Sequence, residues 1–177
     1  QLDLALGDFD GDSLDEIVAV TGTTISVLDS NGVVLPARSP QGAPAAPGGV
    51  PLVGPLRAGY GACIGVRLPT GFYAWDDSGR AVYGFPKPGI AGSFAGLADL
   101  DGDGATEIAA GTALADSNVY AFDAGAATWN EALAYWPAVR GDDARTGARR
   151  YPVGLPLYDR IAPAPVAPSA PAKEKPA

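Results

Sequence analysis

The chain has 177 residues, a formal net charge of −8 at pH 7, 24 glycines, 17 prolines and no histidine. This length suits one domain, or one large domain with a tail, and so much glycine and proline favours an all-β protein over a helical one. The missing histidine excludes a Ser-His-Asp or Cys-His mechanism within this chain, and also zinc ligation by histidines.

Lysines and arginines are scattered, so we expect no nucleic-acid partner. No apolar run approaches the ~18 residues of a membrane span. The chain begins at Gln1 and contains no methionine, which is typical of a processed chain or a fragment.

The first predicted element is an acidic loop that reads Asp8-Phe-Asp-Gly-Asp-Ser-Leu-Asp-Glu16. Its carboxylates at loop positions 1, 3, 5 and 9 suit a hard cation such as Ca²⁺, which takes roughly six to eight oxygen ligands. The loop is not an EF-hand, because position 12 is Ala19 and the apolar run Ile17–Val20 predicts a buried strand. Solvated turns are the alternative interpretation, since Asp and Gly both favour turns.

Three predicted hairpins give the chain a repeat. Each has an alternating strand, an Asp/Gly turn and a second strand that ends in an apolar residue and Pro. The first strands are Ile25–Leu28, Phe72–Trp75 and Val119–Phe122, and the closing pairs are Leu35-Pro36, Phe85-Pro86 and Trp136-Pro137. The turn residues Asp29, Asp76 and Asp123 are 47 and 47 residues apart, and a fixed period in the forties is typical of β-propeller blades.

The middle repeat lacks an acidic loop. The stretch from Pro51 to Arg57, where such a loop is expected, contains no acid. Before it, residues 36–55 are rich in Pro, Gly and Ala, and we predict that they form a surface connection. Cys63, the only cysteine, lies among apolar residues and is expected to be a buried small hydrophobe.

A second acidic loop reads Asp99-Leu-Asp-Gly-Asp-Gly-Ala-Thr-Glu107 and runs into the apolar stretch Ile108–Ala110. Two near-copies, each leading into a predicted strand, favour metal binding over solvated turns, so we predict two Ca²⁺ sites. The predicted carboxylate ligands are Asp8, Asp10, Asp12, Glu16, Asp99, Asp101, Asp103 and Glu107.

These repeats resemble the FG-GAP (VCBS-type) repeats of bacterial exported proteins and of the integrin α-subunit propeller. The resemblance is clearest over residues 94–125, in Phe94-Ala-Gly-Leu-Ala-Asp99, Glu107-Ile-Ala-Ala-Gly111 and Val119-Tyr-Ala-Phe-Asp123, and the first repeat matches from Leu4 onward. It implies a calcium-stabilised β-propeller in which the carbonyls of Leu14 and Ala105 complete the two sites. The Gly-Ala-Pro element of the family is replaced here by Thr21-Gly-Thr23 and Gly111-Thr-Ala113.

Residues 136–150 resemble the segment that closes such bacterial propellers, in Trp136-Pro137 and Arg145-Thr-Gly147. They contain Arg140-Gly-Asp142, a tripeptide that many integrins bind, which we interpret as a chance match. Residues 151–177 form a Pro/Ala-rich tail that is expected to be extended. Pro-rich strands dock well on partner grooves, so the tail is a hint of a partner.

We therefore predict blades at about 1–36, 56–88 and 94–137. The hairpin residues expected in the core between them are Val27, Leu28, Trp75, Val119, Phe122 and Trp136. Three blades form an incomplete ring, because propellers have roughly four to eight. Either further blades lie outside this chain, or other copies or subunits complete the ring, or the blades curl into a smaller β-structure.

The function predicted from these features is that of a non-catalytic, calcium-stabilised module that acts in structure, adhesion or protein interaction. One alternative is an accessory or truncated domain of an exported enzyme, such as a polysaccharide lyase or a protease. Another is a subunit of a surface filament or larger extracellular complex. Calcium sites of modest affinity suit an extracellular or cell-surface location, or the periplasm. The expected partners are protein subunits that cover open strand edges, with carbohydrate as a further possibility.

Overall fold

The computed structural model describes residues 2–22, 24–44, 49–59, 61–88, 95–111, 119–135 and 137–138. Within these ranges the protein is all-β, with nine strands and a single 3₁₀ turn at Glu131–Leu133. The strands are β1 (Leu2–Gly7), β2 (Glu16–Thr21), β3 (Thr24–Leu28), β4 (Pro51–Gly54), β5 (Cys63–Leu68), β6 (Gly71–Trp75), β7 (Ala95–Ala98), β8 (Ala105–Gly111) and β9 (Val119–Thr128). No helix in the described part of the chain is long and apolar enough to cross a membrane.

The strands form three antiparallel sheets, each with three strands in chain order. We call them the first unit (β1–β3), the middle unit (β4–β6) and the third unit (β7–β9). The opening strands of the units contact one another in the order β1, β4, β7. Corresponding paired positions are Gly7 with Glu16, Gly54 with Cys63 and Ala98 with Glu107. The chain between these pairs spans residues 8–15, 55–62 and 99–106, so the three loops have equal length and can be compared position by position.

The hairpin prediction is confirmed in the first two units. Asp29 N donates to Val33 O at 2.9 Å, and Asp76 N donates to Arg80 O at the same distance. The returning strand is short in both units, where Leu28 pairs with Val34 and Trp75 pairs with Ala81. The predicted buried strands Ile17–Val20 and Ile108–Ala110 are likewise confirmed within β2 and β8.

Two predicted elements are wrong. The third hairpin does not turn at Asp123, because β9 continues from Val119 to Thr128. Its pairing with β8 shifts register between Ala105 and Glu107. The predicted surface connection 36–55 contains β4, whose four residues are all buried between the other two units. The middle unit therefore begins at Pro51 rather than at 56, and the strand was hidden by Pro51 at its start and by Pro55 directly after it.

The core lies in two layers between the units. Val27 and Trp75, each 1% exposed, belong to the layer between the first and middle units, as predicted. Phe122 packs against the layer between the middle and third units, while Leu28 is only half-buried. Val119 was predicted to be buried but is 78% exposed, because it pairs with Gly111 on the face that points away from the middle unit.

A short segment after β9 contacts all three opening strands. A Cβ placed on Gly7 would lie 3.2 Å from the Tyr135 side chain, and one on Gly54 would lie 3.9 Å from Ala134 Cα. Leu97 N donates to Pro137 O at 2.8 Å. Ala134, Tyr135 and Pro137 therefore connect the three units. The closing role predicted for residues 136–150 stays a prediction, because only residues 137 and 138 of that range are described. Trp136, the Arg140-Gly-Asp142 tripeptide and the tail 151–177 lie outside the described residues.

Candidate metal centres

In each acidic loop, the aspartate at position 1 closes the turn. In the first loop Asp8 accepts hydrogen bonds from Gly11 N at 2.6 Å and from Ser13 N at 3.1 Å. In the second loop Asp99 accepts from Gly102 N at 2.7 Å and from Gly104 N at 3.1 Å. The aspartate thus holds the loop in a tight turn while its oxygens stay near the loop centre. Such local side-chain-to-backbone bonding is the reason that aspartate is favoured in turns.

Positions 3 and 5 repeat a second pattern, in which each carboxylate accepts from the N–H two residues later. Asp10 accepts from Asp12 N at 3.3 Å, and Asp12 accepts from Leu14 N at 2.8 Å. The corresponding distances in the second loop, from Asp103 N to Asp101 and from Ala105 N to Asp103, are 3.2 and 2.7 Å. The two loops therefore share one conformation, to within a few tenths of an ångström in these bonds.

The glutamate at position 9 comes from the following strand and reaches back to the loop. Glu16 accepts from Phe9 N at 2.8 Å, and Glu107 accepts from Leu100 N at 2.7 Å. Both glutamates are buried, with exposures of 3% and 8%. Burial raises the pKa of Glu16, and the nearby Asp10 charge raises it further, while the Phe9 hydrogen bond and Arg38 act in the opposite direction.

Three carboxylates converge in each loop. One oxygen each of Asp8, Asp10 and Glu16 lies within 4.8 Å of the others, and Asp99, Asp101 and Glu107 form the same group in the second loop. Like charges this close repel one another, and a bound cation would reverse that cost. A donor set made only of oxygens suits Ca²⁺, Mg²⁺ or Mn²⁺ rather than the softer metals.

The remaining predicted ligands lie at the rim of these groups. Asp12 and Asp103 are in the loops but outside the two close groups of three. Leu14 and Ala105 occupy position 7, where their N–H groups bind the position-5 aspartates. The ligand role implied for their carbonyl oxygens stays a prediction.

A basic side chain, missed from the sequence, lies beside the first loop only. Arg38 Nη2 is 3.4 Å from Asp10 Oδ2, and its Nη1 is 3.5 Å from the backbone oxygens of Phe9 and Asp77. Arg38 therefore bridges the first loop and the hairpin turn of the middle unit. Among the described residues, no arginine or lysine forms an ion pair with the second loop.

The middle unit carries the same loop with its acids replaced. By the strand pairing, Pro55, Arg57, Gly59 and Cys63 stand where the first loop has Asp8, Asp10, Asp12 and Glu16.

The loop of the middle unit is neutralised by an internal ion pair. Arg57 Nη1 is 2.6 Å from Asp76 Oδ2, and Asp76 also accepts from the Ser78 hydroxyl at 2.7 Å and from Arg80 N at 3.0 Å. Burial acts to raise the pKa of Asp76, but these hydrogen bonds and the Arg57 charge outweigh it, so that the pKa is lowered. Burial raises the pKa of the Cys63 thiol to about 12, so this position supplies no anion at neutral pH.

The role of Arg57 could have been predicted from the sequence, because the 47-residue period between Asp29 and Asp76 makes Arg57 the equivalent of Asp10. Arg38 could not, because it reaches the loop from a connection with no periodic signal. Comparison of the chain with protein-family models, with curated proteins and with solved structures finds no match.

Proposed function

We propose that this chain is a non-catalytic, calcium-stabilised module whose role is structural or lies in protein interaction. The observation that carries the proposal is the repetition of one acidic loop, with the same five backbone hydrogen bonds and the same group of three carboxylates, in two units of the chain. A chance arrangement of exposed acids has no reason to repeat in this detail. The loops are expected to order around the cation and to hold the ends of the strands that they join.

Calcium is the metal that we propose, on the chemistry of the donors. Each loop offers several carboxylates and backbone carbonyls on a flexible turn, which suits the large and variable coordination of Ca²⁺. Mg²⁺ requires near-octahedral geometry and gives up its water reluctantly, so we expect it to bind more weakly.

A non-catalytic role is favoured by how the titratable groups are used. The carboxylates of the two loops are engaged by backbone N–H groups, and Asp76 is engaged by Arg57 and its own turn. The Cys63 thiol is buried and protonated. The exposed Ser78 hydroxyl donates to Asp76, but the lowered pKa of Asp76 and its ion pair with Arg57 make this carboxylate a weak base for covalent catalysis.

The wider setting follows from the same features as a proposal. We propose that the three units are propeller-type blades of the FG-GAP kind, and that further units or subunits cover the open faces. An exported location, extracellular or at the cell surface, fits sites that need millimolar calcium.

The test is thermal unfolding of the full chain in calcium and in chelator. Ligand that binds only the folded state stabilises it by mass action, by about 2.7 kcal/mol for each site at a hundredfold excess over Kd. We expect chelator to lower Tm by about 5–15 °C. The double variant Asp10→Ala with Asp101→Ala should lose most of this difference.

Asp77→Ala is the matched control, since it removes an acid that lies outside both loops. It should keep the full calcium dependence. Equal melting curves with calcium and with chelator would contradict the proposal, and an equal shift with magnesium would overturn the choice of metal.

A further inference from the structure

Each unit has one face with large apolar residues, which lies against the unit before it. We call the central residues of this face the leading row. The leading row is Val53, Ile64 and Trp75 in the middle unit, and Leu97, Ile108 and Phe122 in the third unit. The leading row of the middle unit packs on the first unit, and the leading row of the third unit packs on the middle unit. All of these residues are buried except Phe122, which is half-buried.

The corresponding row of the first unit has no unit before it in the described chain. It consists of Leu6, Ile17 and Leu28, which are paired across β1, β2 and β3 at the equivalent positions. All three are half-buried rather than buried, and Leu6 also packs against the core layer of the first and middle units. Leu2 and Leu4, on the same face of β1, are 59% and 47% exposed. This face is an apolar surface where the other two units have a protein interface.

The opposite face of each unit receives the leading row of the next unit. We call its central residues the trailing row. The trailing row is Ala5, Val18 and Val27 in the first unit, and Leu52, Gly65 and Ala74 in the middle unit. These rows receive the leading row of the next unit at close range. A Cβ on Gly7 would lie 2.6 Å from Val53 Cγ1, and one on Gly54 would lie 2.7 Å from Leu97 Cδ1.

The trailing row of the third unit is Gly96, Ala109 and Ala121. Gly96 and Ala109 are half-buried and Ala121 is exposed, and Val119 extends the same apolar face with 78% exposure. The two ends of the described array thus leave uncovered one leading face and one trailing face, the two kinds of face that meet inside the chain.

We infer that the leading face of the first unit binds the trailing face of the third unit of a second copy of this chain. This inference rests on the interaction role proposed above, and not on the metal sites. The contact is head-to-tail, so it either closes a ring or builds a filament. Two copies would bring six units together, which lies within the roughly four to eight of closed propellers. Ala98 stands where Gly7 and Gly54 stand, so the junction between copies needs slightly more room there.

The experiment is light scattering on the full chain at about 10–100 µM, in calcium and in chelator. We expect a mass of two chains or more. Leu28→Lys on the leading row and Ala121→Glu on the trailing row should each give a monomer. An equimolar mixture of the two variants should associate again, because one junction between them has two unchanged faces.

Tyr83→Lys is the control, since Tyr83 is 99% exposed and lies on neither face. It should leave the mass unchanged. If Leu28→Lys alters the circular dichroism spectrum and so disturbs the fold, Leu4→Glu takes its place, because Leu4 is more exposed than Leu28.

A wild-type monomer at every concentration, or variants that leave the oligomer intact, would overturn the inference. Failure of the calcium proposal has a different signature. In that case the assembly persists and its melting temperature does not respond to chelator.

Discussion

The loop of the middle unit joins its first two strands with a different set of side chains from the loops of the two neighbouring units. All three connect the same pair of strand positions with the same number of residues. In all three, the N–H at loop position 2 binds the side chain at position 9, which is Glu16, Glu107 or Cys63. The outer loops gather carboxylates, whereas the middle loop has none and supplies the Arg57 cation itself.

This difference indicates that the loop conformation does not depend on the acids alone. The middle loop keeps the shared length and the position-2 hydrogen bond without them, because Arg57 and Asp76 form an ion pair inside the unit. We therefore expect the middle unit to be stable without calcium, and the calcium dependence of the protein to come from the outer units.

The two acidic loops also differ from each other. Arg38 lies beside the first loop, and Ser13 adopts φ of +73° where the second loop has Gly104 at +85°. A positive φ is strained for serine and not for glycine. The first loop thus combines a competing positive charge with backbone strain, and we expect its affinity for calcium to be the lower of the two.

The largest effect is expected from breaking the ion pair of the middle unit. Asp76→Ala removes the buried carboxylate that pairs with Arg57 and accepts from the N–H groups of its turn, so it should cost ~2–3 kcal/mol of unfolding free energy. The loss should be the same in calcium and in chelator, as measured by urea unfolding. Asp29→Ala, at the exposed equivalent turn, is the matched control and should cost less.

The same variant has a pH signature. Because the pKa of Asp76 lies below its ordinary value of 3.8, its stabilising effect is present above that value. The effect is lost as the pH falls through the lowered pKa. The stability difference between wild type and Asp76→Ala should therefore shrink only in strong acid. A difference that already vanishes near pH 5 would show that the ion pair is not the cause.

A smaller effect is expected from the charge beside the first loop. Arg38→Gln removes a cation 3.4 Å from Asp10, so calcium should bind the first site ~3–10-fold more tightly while the second site is unchanged. Calorimetric titration in an Asp101→Ala background isolates the first site. Arg80→Gln, which removes an exposed charge elsewhere, serves as the control. Unchanged affinity in Arg38→Gln would mean that Arg38 moves aside at no cost.

The smallest effect concerns the strained serine. Ser13→Gly should stabilise the chelator-treated protein by ~0.5–1 kcal/mol, because relief of the positive φ outweighs the entropy of glycine. Gly104→Ser should cost about 1 kcal/mol by the same reasoning, as nothing lies within 4 Å of its Cβ position and only the backbone opposes the change. Opposite signs for the two variants are the expected result, and equal signs would contradict it.

Much of this arrangement could be predicted from local sequence. The acidic loops, the strands after them and the first two hairpins each have a local signal, and a 47-residue spacing aligned Asp29 with Asp76. β4 was missed because a four-residue strand that begins with Pro51 and is followed by Pro55 resembles a connection until two neighbouring units bury it. The turn at Asp123 was wrong because the strand does not reverse there: after an irregular stretch it pairs with β8 again at Thr128. Arg38 acts across units, and no local pattern reports such a contact.

The most direct test of the central claim is the number of calcium ions bound by each chain. Calorimetric titration of calcium-free protein should give two ions for the wild type, one for Asp101→Ala and none for Asp10→Ala with Asp101→Ala. Asp76→Ala, which changes the middle unit alone, should still bind two. Two ions bound by the double variant, or none bound by the wild type at millimolar calcium, would contradict the account.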